Sequence, residues 1–279
     1  MTTQLELAPT VQLSGGAAMP CLGLGTWPLK GQAAADAVAS AIGLGYRHID
    51  TAENYRNEEA VGEGVRASGL AREDLWLTTK FNREHHSVAG VREACEASLK
   101  RLGTDYIDLL LIHWPNPDQD RFVAAFEGLV QLREAGLVRA IGTSNFKPAH
   151  LDKLFAAGLV PEVNQIQLDP YHRRDDNLAL HAQKGIVTEA WSPIGQGSAL
   201  LDDPVIGEIA AAHGRTAAQV VLRWHVQQGQ VAIPKSANPQ RQAQNLAVFD
   251  FTLSDAQMVR LDGLGRPDPD MLDADRFGH

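Results

Sequence analysis

A short apolar run followed by an amphipathic helical stretch recurs eight times in this 279-residue chain, and that recurrence constrains the fold more than any other feature. The apolar runs are 22–25, 47–49, 75–79, 107–112, 139–143, 163–168, 185–190 and 231–233. They are apolar on both faces, as strands buried on both sides of a parallel sheet must be. The helical stretches are 32–44, one beginning near Asn57, 88–101, 121–135, 148–157, 176–184, the pair 204–212 and 216–228, and 239–246. Eight such units predict an α/β fold, a (β/α)8 TIM barrel. A short N-terminal β-hairpin precedes it, Val11-Gln12-Leu13 and Ala17-Ala18-Met19 about Ser14-Gly15-Gly16, and an extra C-terminal helix, 255–262, follows it. The tail 263–279, with Pro267 and Pro269, reads as irregular; disorder and a place over the site are both open for it.

The rival α/β reading is a doubly wound dinucleotide fold, which needs G-x-G-x-x-G after its first strand. Gly23-Leu24-Gly25-Thr26-Trp27-Pro28 breaks that pattern, and Gly195-Gln196-Gly197 lacks the third glycine. With 44% hydrophobic residues and no linker-like stretch, 1–279 reads as a single domain around one large core. A net charge of -9 argues against nucleic-acid or anionic-membrane partners. No apolar stretch approaches a membrane span. The first six residues, Met1 to Glu6, lack the basic and apolar regions of a signal peptide. Cys21 and Cys95 make no disulfide framework, and Cys95 shares a helical stripe with Val88, Val91 and Leu99, as a core residue would. A cytoplasmic protein of monomeric size is expected.

If the runs are barrel strands, the chemistry gathers at their C-terminal ends. There stand Asp50 and Tyr55, Lys80, and His113, an acid, a phenol, an amine and an imidazole. A lone tyrosine is a poor acid at neutral pH, but a nearby ammonium favours the phenolate. Lys80 is therefore expected to lower the Tyr55 pKa, Asp50 to hold Lys80 charged, and His113 to orient a carbonyl oxygen. Each residue alone has a bland reading, as a barrel salt bridge or a satisfied core histidine. Four at strand ends favour proton transfer.

Two further sets lie beyond other strands. Lys235 and Ser236 follow the eighth run and Arg241 sits about one turn into the next helix, where barrels commonly hold a phosphate. Ser144 and Asn145 follow the fifth run and Gln165 belongs to the sixth, and their groups can donate to and accept from a carboxamide. Trp191 offers a flat face for an aromatic ring. Together these suit a nicotinamide.

The segment from Gly45 to Glu58, GYRHIDTAENYRNE, resembles the signature of the aldo-keto reductases. Val138 to Phe146, VRAIGTSNF, resembles a second family signature, and Ile233-Pro234-Lys235-Ser236 with Arg241 a third. The nearest flavour is the bacterial 2,5-diketo-D-gluconate reductase group, on the segment Ala190 to Gly197, AWSPIGQG. The resemblance implies an NADPH-dependent reductase of aldehydes or ketones, keto sugars among them, with Tyr55 as proton donor and Asp50, Lys80 and His113 completing a catalytic tetrad. It makes Ser144, Asn145, Gln165 and Trp191 nicotinamide contacts. Lys235, Ser236 and Arg241 become contacts of the adenosine 2′-phosphate, and Asn245 an adenine contact. Gln244, in place of a usual glutamate, and Asp169, in place of a usual histidine, depart from the pattern.

Trp27, Phe81, Trp114 and Asn116 are expected to wall the substrate pocket beside His113, and such walls suit many small carbonyl compounds. His85-His86 lacks a third ligand at helical spacing, so no metal is expected. Two alternatives stand beside the reductase. One is a non-catalytic NADP(H)-binding barrel, against which the complete tetrad counts. The other is a Schiff-base lyase on Lys80 or Lys235, against which Asp50 beside Lys80 counts.

Overall fold

The computed structural model describes residues 7–267 and 272–278. The reading of Met1 to Glu6, and that of Pro269, lie outside these residues. A hairpin of β1 (Thr10–Gln12) and β2 (Ala18–Pro20) comes first. Eight parallel strands follow, each bonded to the next in chain order. They are β3 (Leu24–Gly25), β4 (His48–Asp50), β5 (Trp76–Phe81), β6 (Ile107–Ile112), β7 (Val138–Ser144), β8 (Val163–Gln167), β9 (Val187–Trp191) and β10 (Val231–Ala232). The ring closes between its first and last members: the Gly23 amide donates to the Ala232 carbonyl at 2.9 Å, and the Ala232 amide to Cys21 at 3.0 Å. The (β/α)8 expectation holds, with the last strand shorter than its apolar run.

Between the strands run α1 (Gly31–Leu44), α2 (Glu58–Ser68), α3 (Val88–Leu102), α4 (Phe122–Glu134), α5 (Pro148–Ala156) and α6 (Asp175–Lys184). The pair α7 (Pro204–His213) and α8 (Ala217–Gln227) follows β9, α9 (Pro239–Leu246) follows β10, and α10 (Asp255–Asp262) ends the series. Side chains cap the starts that matter here. Asn238 accepts from the Arg241 amide at 3.0 Å with Pro239 in the first helical turn, which starts α9 just past the last strand.

Strand alternation divides the interior into two layers. Trp76, Leu109, Leu111, Ala140, Val163 and Val231 meet Leu13 and Met19 of the hairpin and plug the barrel floor. Ile49, Leu77, Leu110 and Ile112 face the helices in the main core, with Phe122, Phe126 and Cys95. Both cysteines are buried and free, and burial pushes their thiols up to about 11 for Cys21 and about 12 for Cys95.

Gly23 and Gly25 have a reason other than phosphate binding. A Cβ at Gly25 would stand 2.9 Å from the Ile233 carbonyl oxygen, and one at Gly23 would stand 2.7 Å from His48 Nδ1. These glycines let the first and last strands meet. Among the described residues no helix is long and apolar enough to cross a membrane.

Candidate active site

Asp50 ends β4, Lys80 sits one residue before the end of β5, and His113 lies one residue past β6. A single 3₁₀ turn, Glu53–Tyr55, carries Tyr55 back over the barrel mouth. The four side chains meet. Lys80 Nζ donates to Asp50 Oδ1 at 2.7 Å and to the Thr51 carbonyl at 2.9 Å, and it lies 3.5 Å from the Tyr55 hydroxyl. The His113 ring stands edge-on to that of Tyr55, with centroids 5.7 Å apart.

Burial acts to lower the Lys80 pKa, but Asp50 and Tyr55 outweigh it, and the ammonium is held above its ordinary value. Burial drives Asp50 up while Lys80 and Gln165 pull it back. Burial prevails at Asp50, whose net shift is upward, while the 2.7 Å contact with Lys80 favours the ionised form of both partners. Lys80 does lower the Tyr55 pKa, as the sequence predicts, yet burial is stronger and the net shift is upward. That corrects the expectation of an acidified phenol. Tyr55 keeps its proton through neutral pH.

The amide set is bound into the same interior. Gln165 Nε2 donates to Asp50 Oδ2 at 2.8 Å and to Glu189 Oε2 at 2.9 Å, so both its hydrogens are used, and its Oε1 accepts from no described donor. Asn145 takes a left-handed φ of 63°, which its short polar side chain tolerates. Its Nδ2 donates to the His113 carbonyl and to Ser144 Oγ, both at 3.0 Å, while its Oδ1 accepts from Trp191 Nε1 at 2.8 Å. Ser144, Asn145, Gln165 and Trp191 thus form one connected edge, with the Gln165 oxygen left to receive a donor. This fits a carboxamide with an N–H to give.

Lys235 and Arg241 are exposed, Ser236 and Asn245 nearly buried, all at the start of α9 or along it. Neither cation has a carboxylate within ion-pair distance among the described residues. Ser236 Oγ accepts from the Asn238 amide at 3.1 Å and braces the turn. Two uncompensated cations at a helix N-terminus fit a dianionic phosphate. Gln242 fixes this helix, its Nε2 donating to the carbonyls of Ala37 at 3.0 Å and Ser236 at 2.8 Å.

Of the expected pocket walls, Trp27 is half exposed at the rim. Trp114 and Asn116 lie beneath the tail: Phe277 packs edge-on against Trp114 with centroids 4.7 Å apart, and a Cβ at Gly278 would stand 1.8 Å from Asn116 Nδ2. The described tail therefore lies over the mouth. It is tied there by Lys147 to Asp273 and Asp275, and by His150 Nε2 to Asp275 Oδ1 at 2.9 Å. Phe81 is a correction. Alternation along β5 sends it to the face opposite Lys80, into the core against His86 and out of the pocket.

His85 pairs with Glu53 at 3.2 Å, and burial pushes neutral His86 down to about 4. Among the described residues no cluster of three or more His, Cys, Asp or Glu could hold a metal. Two site residues escaped the sequence reading. Phe277 is the single aromatic ring of Phe, Trp or Tyr type in the tail, and Glu189 is the one acid inside the run 185–190. A carboxylate in a strand buried on both faces was the available signal.

The family model described as the aldo/keto reductase family matches residues 21–266. The chain belongs to the aldo/keto reductase family. This reductase is 47% identical to morphine 6-dehydrogenase of Pseudomonas putida, with 97% of each chain covered. It is 45% identical to 2,5-diketo-D-gluconic acid reductase B of Corynebacterium sp., over 92% of this chain and 94% of that one. Among solved structures, a mutant of Gox0644 in complex with NADPH superposes with a TM-score of 0.92 at 40% identity, covering 97% of this chain and 98% of that one. The resemblance read from the three signatures, including its diketogluconate flavour, is thereby borne out.

Proposed function

We propose that this aldo/keto reductase uses NADPH to reduce aldehydes and ketones to alcohols, acting as a single-domain monomer over 1–279 in the cytoplasm. The observation that carries the reading is Tyr55, a protonated phenol 3.5 Å from an ammonium that Asp50 holds at 2.7 Å. NADPH, when bound, would supply the hydride for the carbonyl carbon. The chain's part is to orient and protonate. His113 orients the carbonyl oxygen, and Tyr55 gives its hydroxyl proton to that oxygen as negative charge develops there. Lys80 stabilises the phenolate left behind, which then regains a proton from water. Asp50 keeps Lys80 charged and in place.

Ser144, Asn145, Gln165 and Trp191 would hold the nicotinamide end; Lys235, Ser236 and Arg241 the 2′-phosphate; Asn245 the adenine. Trp27, Trp114, Asn116 and His113 would line the substrate space. Relatives named morphine 6-dehydrogenase and 2,5-diketo-D-gluconic acid reductase B support a small carbonyl substrate, keto sugars included. A Schiff-base lyase on Lys80 is disfavoured, because its ion pair keeps the amine protonated and non-nucleophilic. The test is NADPH oxidation against a panel of aldehydes, ketones and keto sugars. Turnover of at least one carbonyl class is expected; NADPH binding without turnover of any would favour a cofactor-binding barrel that does no chemistry.

A further inference from the structure

Beneath the Asp50–Lys80 pair, the barrel interior holds a second carboxylate that the reduction as described does not use. Glu189 lies in the middle of β9 and is wholly buried. Its Oε2 accepts from Gln165 Nε2 at 2.9 Å, and the same nitrogen donates to Asp50 Oδ2 at 2.8 Å. Its Oε1 lies 3.5 Å from His48 Nε2, a ring nitrogen that also meets Thr78 Oγ1 at 3.0 Å. One amide nitrogen thus bridges two buried carboxyl groups, with Lys80 the single cation among them. We propose that Glu189 is a positioning residue of the reduction site, which locks the Gln165 carboxamide so that only its oxygen faces the cofactor, and whose charge tunes the proton held on Tyr55. This rests on the NADPH-dependent reading of the site.

The geometry carries the first half. A free glutamine side chain presents either its oxygen or its NH₂ to a ligand. Here both hydrogens are committed to carboxyl oxygens, so Gln165 can meet a nicotinamide carboxamide only as an acceptor. Removing Glu189 frees one hydrogen and lets the amide turn over. Charge balance carries the second half. With Asp50 and Lys80 both ionised, a third full charge in this dry interior has no counter-ion. The groups facing Glu189 are Asp50 and His48 on β4, Lys80 on β5, Gln165 on β8 and, further out, Tyr55. Burial holds His48 neutral, down to about 3, so it does not serve as the counter-ion. Burial first, and Asp50 second, push Glu189 up to about 8, against the pull of Gln165 and Lys80. Glu189 therefore carries a proton at neutral pH and loses it in mildly alkaline solution. Its negative charge then raises the Tyr55 pKa.

Two variants separate the halves. Glu189→Gln keeps an acceptor for Gln165 and deletes the charge; Glu189→Leu deletes both. For Glu189→Gln, the alkaline limb of the kcat/KM profile for reduction should move to lower pH by about one unit, with NADPH affinity near that of the wild type. For Glu189→Leu the same shift should come with NADPH binding weakened about fivefold, the worth of one hydrogen bond. NADPH affinity is read from protein fluorescence without turnover, so it stays informative whatever the carbonyl. A Glu189→Gln profile that coincides with the wild type, together with unaltered NADPH binding by Glu189→Leu, overturns the proposal. If neither variant folds, the wild type labelled with ¹³C at the glutamate carboxyl decides. One glutamate should titrate with a midpoint near 8, whereas all glutamates titrating in the ordinary carboxylate range overturns it. A wild type that turns over no carbonyl compound would refute the reductase reading while leaving this titration measurable.

Discussion

Gln165 donates a hydrogen bond to Asp50 across the barrel at 2.8 Å, and that contact joins the amide edge to the ion pair under Tyr55. The residues that would hold the nicotinamide and those that would move the proton are therefore one mechanical unit. Replacing Gln165 by Met removes a donor from a buried carboxylate, which costs about 1–3 kcal/mol. Steady-state kinetics and NADPH titration should show kcat and cofactor affinity falling together. Loss of one without the other would mean the two sets act separately.

Gly25 is a closure residue. A methyl there meets the Ile233 carbonyl oxygen at 2.9 Å, and backbone cannot yield as a side-chain tip can. Gly25→Ala should cost about 1–3 kcal/mol, the range for overpacking, and thermal unfolding should show a lower Tm. An unchanged Tm would mean that the first and last strands separate freely.

Arg241 stands exposed at the first turn of α9 with no carboxylate partner among the described residues. Arg241→Ala should weaken NADPH binding about tenfold, the low end for a charge-assisted hydrogen bond at an exposed site. NADH binding should hardly change. Equal losses for both cofactors would mean that Arg241 does not read the 2′-phosphate.

The tail is held electrostatically. Its hydrogen bond from Lys147 holds the Asp273 carboxyl below the ordinary 3.8. A depressed carboxyl contributes its stability above the unfolded value and loses it as pH falls through the folded one. Residues 272–278 should thus stay docked from neutrality down to about pH 4 and release below that. Hydrogen exchange of this segment against pH checks the point, and Lys147→Met should weaken its protection at all pH values, with His150–Asp275 and Phe277 on Trp114 still in place. A segment equally protected in that variant would place the clasp elsewhere.

The barrel was legible because parallel strands buried on both faces leave an apolar run that polar loops bracket, and eight of them leave few other folds. The positions of Asp50, Lys80 and His113 followed from strand ends alone. What the runs do not encode is which face a residue takes at the last position of a strand. The sequence therefore suggests Phe81 as pocket wall, whereas in the fold its neighbour Lys80 occupies the inward face and Phe81 turns into the core. Nor do they show how much burial opposes a charge, so the rise in the Tyr55 pKa came only with the geometry. Glu189 was hidden for the opposite reason: a lone acid in an apolar run matters only once its partners on β4 and β8 are known.

The proposed reduction depends on Tyr55 as the proton donor. The most direct measurement is single-turnover oxidation of enzyme-bound NADPH by a carbonyl substrate, wild type against Tyr55→Phe, with NADPH affinity measured on the same samples. Removing a general acid typically costs about 10²–10⁴-fold in rate. We expect a loss of that order with NADPH binding nearly intact. A variant that oxidises NADPH at the wild-type rate would contradict the account.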